Sequence, residues 1–548
     1  MVLGSWAIDP ATDRLTIEAT LTVADDARKV TMTYPFIFPS APPSIRAHDL
    51  RKRWGGHHYV GNGELCLEIR PDNWRSSDTG ADMLRSALKL LASVVDPDDD
   101  AEPVADAHHT TLGQDLRTSH YRFVLTSELQ AKLVGLISPR PVKVSGILVN
   151  DCLLMWVYQL TEEDGSIWTD PSAPASLDEF AFYRGWAVHI PDDDFLRTSA
   201  AIDAAIALKD GSFWGMFVKG EPPPANGCLF VSSSTGVRAF RMSGSDPREV
   251  YEYRAVPQDT AVRTPARNEA LKDKLFAILG CGSLGSKVAT SLARGGARNF
   301  LLVDDDVLLL GNLVRNELDV IGVGAHKVDA LAAKLKSVAA GVTVTCRRHH
   351  LGGQEANSSL ATLLEALAGA DLIVDTTVDD DAFNYAASAA VSARRTMCWA
   401  RVFAGGYGGM IARSRPGIDP TPTDARALIE QWCSNKPNPP TATRDYGGMR
   451  TDGGPPMVAD DADVGAIATA LARMIIDVAI QPGDPDHPFS AYMIGLRREW
   501  IFNGPFDTWP IDLGRPLPEP EVRVVEDLRK LGMNLLEARS KTEAASDD

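Results

Sequence analysis

Hydrophobic and polar residues alternate along LTIEATLTV (15–23) and again through VTMTYPFIF (30–38). A period of two predicts strands that turn one face to a core. A turn-rich segment from Pro35 to Pro43 follows, and the apolar spacing from Ala81 to Val95 predicts an amphipathic helix. Residues 1–120 therefore read as a small α+β unit, closed by the acidic, proline-containing break Asp96 to Asp106. Strand signals return between 121 and 262, in VSGILVNDCLLMWVYQL and GCLFVSSSTGVRAFRM, separated by loops rich in Pro, Asp and Gly. That stretch reads as a mixed linker domain to which no chemistry attaches. From Arg263 the pattern changes to strand, glycine turn, helix, strand in LKDKLFAILGCGSLGSKVATSLARGGARNFLLVDDD. One complete βαβ unit predicts an α/β domain with a parallel sheet over 263–540. Within it Ser434 to Pro456 is too rich in Pro, Gly and Asn for regular structure, and the tail KTEAASDD reads as disordered.

A length of 548 residues agrees with three or four domains. With 73 acidic against 55 basic side chains the net charge is -18, which argues against nucleic acid as a partner because phosphate binding needs clustered Lys and Arg. No run approaches the ~18 apolar residues of a membrane span. The start MVLGSWAIDP lacks a basic and then apolar leader, so a cytoplasmic protein without membrane attachment is expected. The seven cysteines, at 66, 152, 228, 281, 346, 398 and 433, include no Cys-x-x-Cys pair. Neither a disulfide framework nor a structural zinc site is expected, and any cysteine chemistry should be nucleophilic.

Gly280, Gly282 and Gly285 form G-x-G-x-x-G after the apolar strand LFAIL and at the opening of a helix. Glycines permit a tight turn and close phosphate approach, and the helix N-terminus offers unpaired N–H groups. Asp304 ends the next strand, where a carboxylate can hold ribose hydroxyls. To this point an NAD-dependent oxidoreductase fits equally well. Downstream, Asn312, Arg315 and Lys327 follow in an order that hydride transfer does not need but a triphosphate does. Asp304, Asp306, Asn312, Leu313 and Arg315 fall at the spacing of D-x-D-x-V-x-x-x-N-L-x-R, with Leu308 at the valine position, and Val323 to Lys327 read V-G-x-x-K, so that residues 263–480 resemble the ubiquitin-activating superfamily that includes the ThiF and MoeB proteins. The resemblance implies a Rossmann-like adenylation domain that uses ATP and Mg²⁺. In it Asp304 would hold the ribose, and Asn312, Arg315 and Lys327 the phosphates. Asp379 would hold Mg²⁺, with Asp375 and Asp380 close alternatives. An upstream arginine that reaches the phosphates, in cis or in trans, is also implied, and Arg267 is the candidate.

In HHYVGNGELCLEIRPDNW, Cys66 follows a glycine turn, with Trp74 beyond it and the proline-rich YPFIFPSAPPSIR before it. Residues 15–96 resemble ubiquitin-conjugating enzymes, which implies that Cys66 carries an acyl group as a thioester. The chain departs from that family at its H-P-N motif: His58 stands where the family has the oxyanion-stabilising asparagine and Gly56 where it has the histidine. His58 can still donate a hydrogen bond to an oxyanion.

Activating enzymes of this superfamily usually carry their own cysteine. Cys433 ends the predicted helix DARALIEQWC before the long Pro/Gly loop, whereas Cys398 lies in a strand-like run and reads as core. Cys433 is therefore the expected first nucleophile and Cys398 its alternative. An activating and a conjugating domain on one chain resemble the bacterial fusion enzymes of antiviral CBASS operons. The implied partners are a protein acyl donor with a free C-terminus, either a cGAS-like nucleotidyltransferase or a ubiquitin-like protein, and an amine-bearing target. A homodimer is also implied. A non-catalytic binding module with a degenerate conjugating fold would account for the missing H-P-N motif, but not for the retained Cys66.

Overall fold

The alternating residues of the N-terminal pattern form β1 (Val2–Asp9), β2 (Arg14–Val23), β3 (Asp26–Thr33) and β4 (Ser44–Ala47), an antiparallel meander in that spatial order. The computed structural model describes residues 1–23, 25–49, 54, 63–93, 111–117, 119–149, 152–173, 177, 181–189, 227–234, 236–243, 249–259, 261–439, 457–516 and 529–536. Ile17, Ala19, Leu21 and Val23 are buried while Glu18 and Thr22 face solvent, as a period of two requires. The predicted amphipathic helix is α1 (Gly80–Ser93), and it buries Met83, Leu84, Ala87 and Leu91 on the sheet. These elements belong to a compact unit, Met1–Arg117. The acidic break at 96–106 lies outside the described residues.

The second unit, Thr118–Asp548, holds two sheets. The first comprises β5 (Tyr121–Leu125), β6 (Arg140–Val149), β7 (Cys152–Thr161), β8 (Ile167–Thr169), β9 (Ala181–His189), β10 (Gly227–Ser233), β11 (Gly236–Ser243) and β12 (Glu249–Pro257). Its order is β5-β12-β11-β10-β9-β6-β7-β8, and β7 also pairs with β5, so seven strands close on themselves. Among the described residues the expected mixed linker domain is thus a barrel of strands with one helix. One end is covered by α2 (Ser127–Val134), which adds Leu129 and Leu133 to the interior, and Ser232 Oγ donates to the Leu133 carbonyl at 2.9 Å.

The other sheet carries the βαβ unit: β13 (Leu275–Leu279), α3 (Ser283–Arg294) and β14 (Asn299–Val303). It continues through α4 (Lys327–Val338), β15 (Thr343–Arg347), α5 (Asn357–Ala368), β16 (Leu372–Asp375), α6 (Asp380–Ala393) and β17 (Thr396–Val402). β18 (Gly408–Ser414), α7 (Pro422–Ser434), α8 (Asp461–Ile480), β19 (Ala491–Gly495) and β20 (Thr508–Ile511) complete it. The order β15-β14-β13-β16-β17-β18-β19-β20 is parallel through β17 and antiparallel beyond, so the expected parallel sheet is extended by an antiparallel flank. Phe276 and Ile278 face a core with α3, α4 and α8, while Ala277 and Leu279 face one with α5, α6 and α7. Strand order reverses between β13 and β16, and the crevice at their carboxyl ends is where such folds bind ligands.

A buried ion pair ties the antiparallel flank together. Arg415 grips Asp419 through Nε and Nη2 at 2.8 and 2.9 Å, Ser490 Oγ donates to the same carboxylate at 2.6 Å, and Arg415 Nη1 reaches the Pro482 carbonyl. Burial alone would raise the Asp419 pKa, but the bonds from Arg415 and Ser490 hold it below the usual carboxylate range. Its stabilisation is therefore full above the ordinary carboxylate pKa and is lost as pH falls through the lower folded value. Asp419→Ala leaves Arg415 buried without its partner and should cost about 3–5 kcal/mol in urea denaturation. A loss below about 1 kcal/mol would show that the pair is not needed.

Candidate active site

The glycine motif forms the turn between β13 and α3. Gly280 has φ +83°, a backbone region open to glycine, and a Cβ there would come within 3.2 Å of the Thr376 and Thr377 backbone. A Cβ on Gly285 would stand 1.9 Å from the Gly280 carbonyl oxygen, so only glycine lets α3 press against the turn. Gly282 differs: a Cβ there would meet nothing within 4 Å. Gly282 is also the N-cap of α3 and supplies no side-chain acceptor, so the first-turn N–H groups face open space. Room beside uncapped amide donors is what a phosphate chain requires.

Asp304 follows β14 and is drawn into the loop. Its Oδ2 accepts from the Cys281 N–H at 2.6 Å and its Oδ1 from the Asp306 N–H at 2.9 Å. Burial raises its pKa against these bonds and the nearby Lys327 charge. Lys327 opens α4 and donates to Asp306 Oδ2 at 2.6 Å. Asn312 uses Oδ1 to take the Leu309 N–H at 2.9 Å, and Arg315 Nη1 donates to the Ala459 carbonyl at 3.1 Å, just before α8. Sequence reasoning missed Asn316, whose Nδ2 donates to the Cys281 carbonyl at 3.3 Å and so ties this loop to the glycine turn. Its signal was weak, a second asparagine next to Arg315.

The three acidic candidates after β16 differ. Asp375 is buried, which pushes its pKa up, and Thr377 donates to it through N–H and hydroxyl at 3.0 and 2.7 Å. Asp379 is the N-cap of α6 and is exposed, with Oδ1 accepting from the Ala382 N–H at 2.8 Å. Asp380 pairs with Arg401 and Arg426 at 3.6 and 3.3 Å. Carboxylate oxygens are the hard donors that Mg²⁺ prefers, and Asp379 uses only Oδ1 in its bond to the Ala382 N–H. Arg401 was also missed; it ends β17 at the carboxyl edge of the sheet, where cations meet nucleotide phosphates. Among the described residues, Asp304, Asp305 and Asp306 are the group of acids close enough to share a cation. Asp304 is bonded to backbone amides and Asp306 to Lys327, so the trio reads as loop structure.

Arg267 is not brought to this site within one chain. It lies in the 3-10 turn Ala266–Leu271 before β13, at the amino edge of the sheet, 3.4 Å from Asp486. Asp486 N–H binds Asp477 near the end of α8, whereas Arg315 reaches the other end of that helix. The intervening helix, Asp461 to Asp477, spans about 24 Å. Of the two expected arrangements, cis and trans, the single chain does not bring about the cis one: residues just upstream of a strand sit one strand length from the turn that follows it.

Cys66 lies between Leu65 and Leu67, both buried, and is itself half-exposed. Alternation sends the leucines inward and the thiol outward. The Leu65 N–H bonds the Ile45 carbonyl at 2.8 Å, and Trp74 Nε1 donates to the Pro39 carbonyl at 2.8 Å, so both flanks of the segment are braced. His58 lies outside the described residues. Cys433 is the penultimate residue of α7 and, like Trp432 and Trp500, packs against the core on this face of the sheet. Burial, with a smaller contribution from Glu430, pushes its thiol up to about 11. Cys398 is fully buried in β17 and burial pushes it up to about 12. The Pro/Gly stretch after α7 lies outside the described residues from 440 to 456.

Residues 259–449 match the ThiF family. The chain is 32% identical over 147 residues to the uncharacterized protein y4qC of Sinorhizobium fredii, covering 26% of this chain and 25% of that protein. It is 40% identical over 75 residues to the ATP-dependent ubiquitin transferase-like protein Cap2 of Enterobacter hormaechei, covering 13% of this chain and 12% of Cap2. The chain thus spans about a quarter or less of these relatives. Escherichia coli MccB, crystallised with ATP, aligns at 18% identity and a TM-score of 0.36 over 47% of this chain and 68% of its own. The C-terminal region is accordingly a ThiF-type domain on a Rossmann-like sheet.

Two outcomes follow from this geometry. Gly285→Ala should destabilise the protein by about 1–3 kcal/mol in thermal denaturation through overpacking against the Gly280 carbonyl. Gly282→Ala should change stability by less than about 1 kcal/mol yet weaken ATP binding, measured calorimetrically, by tenfold or more. Equal effects of both substitutions on stability would contradict the distinction. Cys433, with its thiol near 11, should be alkylated by iodoacetamide at pH 7.5 on the order of a hundredfold more slowly than an ordinary exposed cysteine. Rapid native labelling at that residue, read by mass spectrometry, would show the thiol to be open.

Proposed function

We propose that the chain activates the C-terminal carboxylate of a partner protein with ATP and passes the acyl group through two cysteines to an amine. The observation that carries this reading is the open, uncapped first turn of α3 at Gly282, next to Asp304 and the loop that bears Asn312 and Arg315. The ThiF match over residues 259–449 and the similarity to Cap2 support it. In the proposed scheme residues 1–120 form a conjugating domain, 121–262 a linker domain and 263–540 the adenylation domain.

In the first step a carboxylate oxygen of the donor bonds to the α-phosphorus, the bond to the bridging oxygen breaks and pyrophosphate leaves. Asp304 orients the ribose, while the first-turn amides of α3, Asn312, Arg315 and Lys327 hold the phosphates and neutralise their charge. Lys327 must exchange Asp306 for a phosphate, a change of partner between two anions within reach of one ammonium. Asp379 is the Mg²⁺ ligand, and the ion supplies further charge neutralisation when bound. The Cys433 thiolate then attacks the acyl carbon and AMP departs. Because that thiol is buried with a raised pKa, this step needs the end of α7 to move out of its aromatic surroundings. The Cys66 thiolate takes the acyl group by thioester exchange, with His58 donating to the oxyanion, and an amine finally displaces Cys66 to give an amide. Sharing one chain raises the effective concentration of the second thiol.

Antiviral defence, with a nucleotidyltransferase or a ubiquitin-like protein as acyl donor, is the biological setting proposed. Homodimerisation through the adenylation domain belongs to the same proposal, and it is the arrangement in which Arg267 could serve a neighbouring copy.

ATP–pyrophosphate exchange should appear only with a donor that has a free C-terminus, and Arg315→Ala with Asp379→Ala should abolish it. Cys66→Ala should leave a thiol-sensitive adduct on Cys433 and no amide, while Cys433→Ala should retain exchange and lose both adducts. Exchange that survives the double substitution defeats the proposed site. Normal loading of Cys66 in Cys433→Ala defeats the proposed order and makes Cys398 the next residue to replace.

A further inference from the structure

The barrel end opposite α2 collects polar side chains that the proposed chemistry does not use. β5 begins there with Tyr121. β12, parallel to β5, brings Tyr251 and Tyr253, and β11, antiparallel to β12, ends there with Arg241 opposite Tyr251 and Cys228. β9, parallel to β10, adds Tyr183. These residues share the interior face. Tyr121 lies 5.0 Å from Tyr251 and 5.3 Å from Tyr253 between ring centroids, and the Arg241 guanidinium stacks 4.6 Å over the Tyr183 ring. Gly146 makes room for that ring, since a Cβ there would come within 2.5 Å of it.

Charge is unbalanced at this point. Burial works against the Arg241 cation, yet its pKa is raised by Tyr253, Tyr183 and Cys228, groups that carry no charge at neutral pH. Among the described residues no carboxylate lies within ion-pair distance of it. Arg241 Nε is buried without a hydrogen-bond partner, and the buried hydroxyl of Tyr253, a residue only 2% exposed, has no partner among the described residues other than the neighbouring Arg241. Burial pushes that hydroxyl up to about 12, so it remains a donor. The Tyr253 oxygen can accept from Arg241 while its own O–H has nothing to donate to among the described residues, so this hydroxyl and the buried Arg241 Nε–H converge where an acceptor would remove a cost of folding. Tyr121, Tyr183, Tyr251 and Arg241 are each partly exposed, so the cluster opens to solvent.

We propose that this end of the barrel binds an oxyanion, a carboxylate or a phosphate group, held by the Arg241 guanidinium and the Tyr253 hydroxyl. Arg241 presents a planar fork suited to two oxygens and is fixed in plane by the Tyr183 ring. The tyrosine rings wall the site and strengthen the charge-assisted bonds by excluding water. This site belongs to the barrel and does not depend on the adenylation reading.

Phenylglyoxal labelling of the full-length protein, resolved by residue after proteolysis and mass spectrometry, tests the proposal. The probes are sodium phosphate and sodium acetate against sodium chloride at equal ionic strength. At least one oxyanion should slow modification of Arg241 threefold or more while leaving the exposed Arg85 unchanged, and the more effective anion identifies the chemistry. Tyr253→Phe removes one donor without changing shape and should weaken the protection about threefold to tenfold. Three results would overturn the site: no protection by either anion, protection indifferent to Tyr253→Phe, or an Arg241 that the reagent does not reach in chloride.

Discussion

The contact between α3 and the turn at Gly280 governs the C-terminal domain. Because residue 285 has no side chain, the helix comes down onto the Gly280 carbonyl, and its first turn is delivered to the carboxyl edge of the sheet at the reversal of strand order. Everything placed there is then placed by bonds to that turn. Asp304 and Asn316 hold the Cys281 amide and carbonyl, Ser286 Oγ accepts the Glu317 N–H, and Thr376 Oγ1 donates to the Gly280 carbonyl. Three chain segments, at Asp304, at Asn316 and Glu317, and at Thr376, are thus referenced to one turn and its helix, which is how a loop-borne site can have defined geometry.

Much of this was legible from local pattern. Alternation in residues 15–23 and the strand–glycine–helix succession after Leu275 rest on short-range sterics, and the structure follows them closely. The sequence also separated Cys398, in a strand, from Cys433, at a helix end. What it could not convey was non-local. Closure of the middle strands depends on β5 meeting both β7 and β12, pairings that no periodicity announces. Whether Arg267 could act in cis or in trans was likewise not legible, because only the fold shows that the intervening strand carries it across the sheet from the glycine motif. Asn316 and Arg401 gave no distinctive spacing; only tertiary contact marks them.

The two cysteines proposed to carry the acyl group occupy opposite environments. Cys66 is held outward by the leucines on either side of it, a consequence of extended geometry that needs no special packing. Cys433 is packed against the core beneath α7, and the same burial that stabilises the end of α7 suppresses its thiolate. One site is presented by default and the other is withheld by default, so the timing of the proposed relay would lie in the motion of α7.

Barrel closure has a further consequence, for the order in which the chain can fold during synthesis. β5 is completed by strands whose last member ends at Pro257, so the ring stays open until more than a hundred residues after β5 have emerged. Local meander pairing of the kind seen in β1 to β4 carries no such delay, and long-range pairing is correspondingly slow. During that interval the edges of β5 and the apolar interior around Phe123 and Phe230 are bare to solvent or to chaperones. The ring therefore closes only as the first strand of the ThiF-type domain is about to be translated, making the middle of the chain the kinetic bottleneck of its biogenesis.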